Sequence, residues 1–168
     1  MFYFILTKKI YPNRKIFSQR KDRIMDGDYI KDLTEEEKLV FIKVFSKLIK
    51  SDNIANKAEI QFLDVIATRY GIAKNKVIEI IKNSDYENCL EEVKKIRTRA
   101  TALELIKEMC VLANIDNNLD DGELDFLLDI ANSLGIEEDK IISINRWVLD
   151  SFIMEKAGKI IMEKDDDE

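Results

Sequence analysis

The sequence predicts an all-α protein, and three observations carry that prediction. Apolar residues recur every three or four positions through most of the chain, and nothing alternates with a period of two over more than a few residues. Turn chemistry is scarce: 168 residues hold one Pro and five Gly, too few for the turns of a sheet-rich fold. The chain also repeats itself at an offset of 64 residues, so the helical pattern occurs as two copies of one unit. With 46% apolar and 36% charged residues, a chain of this length buries about two-thirds of its surface in one domain. The expected architecture is a single compact domain of about seven helices, built from two pseudo-repeated helix-turn-helix units.

The elements follow in order. Residues 1–33 form a basic N-terminal extension, in which Asp26-Gly-Asp28 beside Tyr29 marks a turn entering the domain. Thr34-Glu-Glu-Glu37 is a capping box, and Leu39, Ile42, Phe45, Leu48 and Ile49 carry a helix from about 35 to 51. The polar stretch Ser51 to Asn56 separates it from a second helix with Ile60, Leu63, Ile66, Ala67 and Tyr70 as its stripe. Gly71 then stands where a helix-terminating glycine belongs. Val77, Ile78 and Ile81 mark a short third helix. Ser84-Asp-Tyr-Glu87 reads as another capping box, opening a helix with Leu90, Val93 and Ile96. Leu103, Ile106, Cys110 and Ala113 form a fifth stripe, and no breaker separates it from the fourth between Lys94 and Thr101. Leu124, Leu127, Leu128, Ala131 and Leu134 make a sixth, ended by Gly135. Glu138 to about Met162 is helical again with Trp147 as its largest apolar anchor, and 163–168 is an acidic tail.

The repeat lays Glu59-Ile-Gln-Phe-Leu-Asp-Val-Ile-Ala-Thr-Arg-Tyr-Gly-Ile72 on Glu123-Leu-Asp-Phe-Leu-Leu-Asp-Ile-Ala-Asn-Ser-Leu-Gly-Ile136, Asp52 on Asp116 and Asn53 on Asn117. Each half reads helix, acidic turn, helix, Gly-Ile. The second turn, Ala113-Asn-Ile-Asp-Asn-Asn-Leu-Asp-Asp-Gly-Glu123, resembles the signature of the TerB-like family, with Asn117 where the pattern has Gly. That family comprises the domain of tellurite-resistance proteins and the similar N-terminal domain of the membrane-anchored co-chaperone DjlA. The first turn, Ile49 to Glu59, carries its apolar residue Ile54 one place early. The resemblance covers about 34–162. It implies one all-helical domain and an association with metal and stress responses, membrane-linked assemblies and phage or defence contexts.

The acidic turn is the candidate site. Asp116 ends one helix and Glu123 lies in the first turn of the next, so a sharp turn can bring both carboxylates together, with Asp120, Asp121 and the Asn117 and Asn118 amides as further oxygen donors. Such a set suits a hard divalent cation, Ca²⁺ first and then Mg²⁺ or Mn²⁺. Asp116, Asp120 and Glu123 are its candidate ligands, with Asp52 and Glu59 as a vestigial counterpart. It is no EF-hand: with Asp116 in the first position, Asp121 falls where that loop needs Gly. The same residues have a structural reading. Asn56 with Glu59 and Asp120 with Glu123 are also cap-and-third-residue pairs. Caps account less well for Asp52 and Asp116, which sit at preceding helix ends where the dipole disfavours anions.

Composition narrows the remaining chemistry. The chain has no His, which excludes His-assisted nucleophiles, imidazole bases, His-ligated zinc and the His-Pro-Asp of a J-domain. No phosphate loop and no Gly-x-Ser-x-Gly occurs, so no enzyme is expected. Cys89 and Cys110 fit neither a zinc nor a redox spacing and read as reduced core thiols. The run Met1 to Leu6 is too short for a membrane span, and Lys8 and Lys9 follow it rather than precede it, so a cytoplasmic protein is expected. Peripheral contact with the inner membrane face through the basic extension is the variant of that reading.

Charge divides unevenly. Residues 1–31 hold eight basic and three acidic side chains, whereas 103–168 hold six basic and eighteen acidic. An acidic half attracts cations or a basic protein partner and repels nucleic acid. The basic run Lys94-Lys-Ile-Arg-Thr-Arg99 reads as a solvated helix face. Two functions therefore stand: a non-catalytic module holding a divalent cation at the turn, and an interaction adaptor docking Asp125, Asp129, Glu137 and Glu138 on a basic partner.

Overall fold

The computed structural model describes residues 27–49, 57–83, 85–115 and 121–162. Among these, seven α-helices form: α1 (Glu35–Ile49), α2 (Lys57–Arg69), α3 (Lys74–Asn83), α4 (Tyr86–Glu92), α5 (Arg99–Ala113), α6 (Asp121–Ser133) and α7 (Glu138–Met162). Short 3₁₀ turns at Gly27–Asp32 and Val93–Lys95 complete them, and no strand occurs among the described residues. The offset of the sequence repeat carries α1 onto α5, α2 onto α6 and α3 onto the start of α7 with the same bounds. The α4 helix and the Val93–Lys95 turn are the link between the copies.

Both copies place their first helix at the centre. The α1 helix packs against α2, α3, α4, α5 and α6, and α5 packs against α1, α6 and α7. That position follows from their sequences, which are apolar on more than one face: Val40, Phe41, Ile42, Val44, Phe45, Leu48 and Ile49 of α1 are all buried. Phe45 holds the middle, edge-on to Phe41 at 6.0 Å and to Phe62 of α2 at 5.9 Å. From α5, Leu105, Ile106, Met109 and Leu112 close the core. The extension also contributes, because Leu33 is buried and Tyr29 and Ile30 pack on the core.

Helix ends repeat as faithfully as helix bodies. Gly71 and Gly135 have φ of 71° and 66°, the left-handed region open to glycine. In both copies the glycine N–H donates to the carbonyl three residues back, at 3.1 and 3.0 Å, and the next Ile N–H reaches five residues back at 2.9 Å. This paired pattern terminates α2 and α6 and turns the chain towards the third helix of each unit. Ala at 135 would meet no atom within 4 Å, so its cost is backbone strain alone. Gly135→Ala is expected to lose about 1–2 kcal/mol, and Gly135→Asn less, by thermal denaturation of both variants.

Three readings of the sequence need correction. Trp147 is 52% exposed and is no core anchor. The inward stripe of α7 is Ile141, Val148 and Phe152, and Trp147 is rotated off it by its place next to Val148. Ile60 and Ile78 are likewise exposed, while Ile80 takes the core position on α3. The α4 cap is Asp85, whose side chain accepts the Asn88 N–H at 2.7 Å, rather than the Ser84–Glu87 pair; the Ser84 side chain lies outside the described residues. The fourth and fifth helices are separate, as the seven expected helices require, although no breaker stands between them. Ile96 is extended, and Thr98 caps α5 by accepting the Thr101 N–H at 3.1 Å.

Candidate functional site

Each acidic turn joins the first two helices of its unit. Asp52, Asp116 and Asp120 lie outside the described residues, so the structure places two of the five candidate ligands, Glu59 and Glu123. Each is the third residue of its helix, where the dipole favours a carboxylate. Both are drawn out of solvent, Glu59 to 5% exposure and Glu123 to 6%, and each is engaged by a partner. Among the described residues no three acidic, Cys or His side chains gather as a metal-ligating group.

Glu37, the third residue of α1, gives the capping role of such a carboxylate in full. Its Oε2 accepts the Thr34 N–H at 2.9 Å and the Thr34 hydroxyl at 2.8 Å, while Thr34 Oγ1 accepts the Glu37 N–H at 3.2 Å. That is the reciprocal box the sequence predicts. Arg97 then adds three donors from the link between the copies, its backbone N–H, Nε and Nη2, at 3.2, 3.3 and 3.2 Å. Burial pushes the Glu37 carboxyl up, but the bonds from Thr34 and Arg97 outweigh it and bring it down to about 2.

The basic run is solvent-exposed, as expected, but most of it is not a helix face. The run is a 3₁₀ turn, then extended chain, and ends on Arg99, the first residue of α5, and each of its four cations has an acidic partner. Lys94 meets Glu91 at 2.6 Å, and Lys95 bridges Glu92 and Glu36 at 3.0 and 3.2 Å. Arg97 holds Glu37, and Arg99 donates to the Gly135 carbonyl at 3.2 Å and to Glu137 at 2.5 Å. The run stitches the two copies together.

The acidic second half is also partly occupied. Asp129 accepts the Tyr86 hydroxyl and Glu137, itself still exposed, accepts Arg99; Asp125 and Glu138 are exposed as well. Burial first, then the bond to Asp129, pushes the Tyr86 phenol up to about 12. Cys89 and Cys110 are buried and unpaired, and burial raises their thiols to about 11 and 12. Neither ionises appreciably at neutral pH. A recess of about 280 Å³ opens between Lys43, Lys76, Glu79, Ile80 and Asn88, but Lys43 is tied to Glu92 at 2.7 Å and Lys76 to Glu79 at 3.0 Å.

One group escaped the sequence reading. Glu108 of α5 is completely buried, beside Lys107 and close to Tyr29 and Tyr70. The repeat held the signal: the same offset lays Glu108 on Val44, a charge on a core position.

No helix among the described residues is long and apolar enough to cross a membrane. A family model described as tellurite resistance protein TerB matches residues 38–146, well over half of the chain. No curated protein and no solved structure matches it.

Proposed function

Since the chain belongs to the TerB family, we propose that it is a non-catalytic helical module whose acidic turn, Asp116 through Asp120 to Glu123, holds a divalent cation, Ca²⁺ first and then Mg²⁺ or Mn²⁺. The observation that carries this reading is the burial of Glu123 in the first turn of α6, repeated at Glu59 in α2. The fold thus sets a carboxylate beside each acidic turn and away from bulk water, where attraction to a cation is less screened. Oxygen donors are the right chemistry for hard ions. A bound ion would tether the ends of α5 and α6 and stabilise the domain through linkage. The family description, tellurite resistance, supports a stress-response setting. Two unpaired thiols in the core suit a reducing compartment, the cytoplasm.

Melting in EDTA and in each ion decides the matter. Ca²⁺ at about ten times its dissociation constant should add about 1.4 kcal/mol, a rise of roughly 3–6 °C for a chain of this size. Asp116→Asn should lose the rise, while Asp52→Asn keeps most of it. No shift with any of the three ions, or an Asp116→Asn variant that still responds, removes the cation and leaves the turn as a pair of caps.

The second reading is an adaptor that docks its acidic half on a basic protein partner. It rests on the exposed carboxylates Asp125 and Glu138. Its mark is capture that weakens with salt and with charge reversal at those two positions, and that ignores chelation.

A further inference from the structure

Glu108 lies between the Gly27–Asp32 turn and the helical body. Its side chain is fully buried, and neither carboxylate oxygen has a hydrogen-bond partner among the described residues. Its Oε1 stands 3.3 Å from the Nζ of Lys107, which also bonds Glu104 and stands 4.9 Å over the Tyr29 ring. Tyr29, in the Gly27–Asp32 turn, shares a hydroxyl-to-hydroxyl bond of 3.1 Å with Tyr70 at the end of α2. Its ring stacks on Phe41 of α1 at 6.4 Å. On α7, Glu155 and Lys159 pair with each other at 3.4 Å. A buried carboxylate left this poorly bonded is a cost the fold carries for a reason.

We propose that Glu108, Tyr29, Tyr70 and Lys107 form a proton-operated latch: neutral Glu108 keeps the Gly27–Asp32 turn seated against the body, and ionised Glu108 releases it. The turn is where the basic extension joins the domain, with seven Lys and Arg against two Asp in residues 1–26. The sign follows from what covers Glu108. Burial pushes its carboxyl up to about 7 against the pull of Lys107, and Glu104 adds to the rise. Lifting Tyr29 admits water and returns the group towards the ordinary carboxylate range. The seated state therefore binds the proton more tightly, and raising pH through about 7 favours release.

Hydrogen exchange of the intact chain tests the latch. After correction for intrinsic rates, protection of the segment around Tyr29 to Leu33 is expected to fall on the order of tenfold between pH about 6 and 8.5, while α5 stays protected. Glu108→Gln, which cannot ionise, should hold the segment seated at both pH values. Equal protection in the parent at both, or unchanged pH dependence in the Gln variant, overturns the proposal. Carbon-13 NMR of the Glu108 carboxyl in the parent is independent of any variant's folding. A midpoint near 7 is expected, and one near the ordinary carboxylate value also overturns it.

Discussion

Alanine in place of Glu37 is expected to remove about 1.5–3 kcal/mol of stability, the range for hydrogen bonds made to a charged group. Glu37 is 1% exposed and gathers donors from Thr34 and from Arg97, sixty positions away in sequence. Its removal takes the partner from the Thr34 and Arg97 backbone N–H groups, while the Arg97 guanidinium, 62% exposed, turns to water. It also cuts the bond from α1 to the segment that leads into α5. The pH dependence follows from its carboxyl being lowered from 4.5 to about 2. A group lowered on folding contributes stability that is complete above its unfolded value and lost as pH falls from about 4.5 to about 2. Urea unfolding at pH 7 and pH 3 checks both claims: the parent weakens at pH 3, and Glu37→Ala is weaker at pH 7 but loses less on acidification. A variant within 1 kcal/mol of the parent at neutral pH would show that Arg97 and Thr34 find other partners. Glu108 acts in the opposite sense. Its raised carboxyl stabilises the fold below about 4.5, and that contribution is lost as pH rises through about 7.

Phe45→Ala is expected to cost about 3–5 kcal/mol and to lower the melting temperature by roughly 8–15 °C. Phe45 is fully buried on the central helix, between the rings of Phe41 and Phe62. Its loss opens a cavity where α1 meets α2, and neighbours fixed on other helices cannot collapse into it. Trp147→Ala is the control of equal chemical violence. Trp147 is 52% exposed, and its truncation is expected to stay near 1 kcal/mol or below. Differential scanning calorimetry of the pair reads the contrast directly. Comparable losses at the two positions would contradict the core as described.

The candidate site was legible in part. The capping box of Thr34 with Glu37, the glycine ends at 71 and 135 and the equivalence of Glu59 with Glu123 all follow from residue spacing, because caps and terminators act within one helical turn. Burial of those two glutamates did not follow, since a first-turn carboxylate reads alike whether it faces water or the core. Periodicity misplaces Trp147 for a related reason: α7 is apolar nearly all round, so its own sequence does not choose the face that packs.

What the sequence determined by itself is the all-helical architecture, the two copies and most helix bounds. These rest on local physics: backbone bonds between residues four apart, caps within a turn, and one side-chain periodicity shared by every helix. Tertiary structure decided the rest. Only packing brought Arg97 onto Glu37, Arg99 onto Glu137 and the Gly135 carbonyl, and Tyr29 onto Tyr70 beside Glu108. The energy of a charge depends on what surrounds it in space, and for these groups the surroundings come from distant parts of the chain.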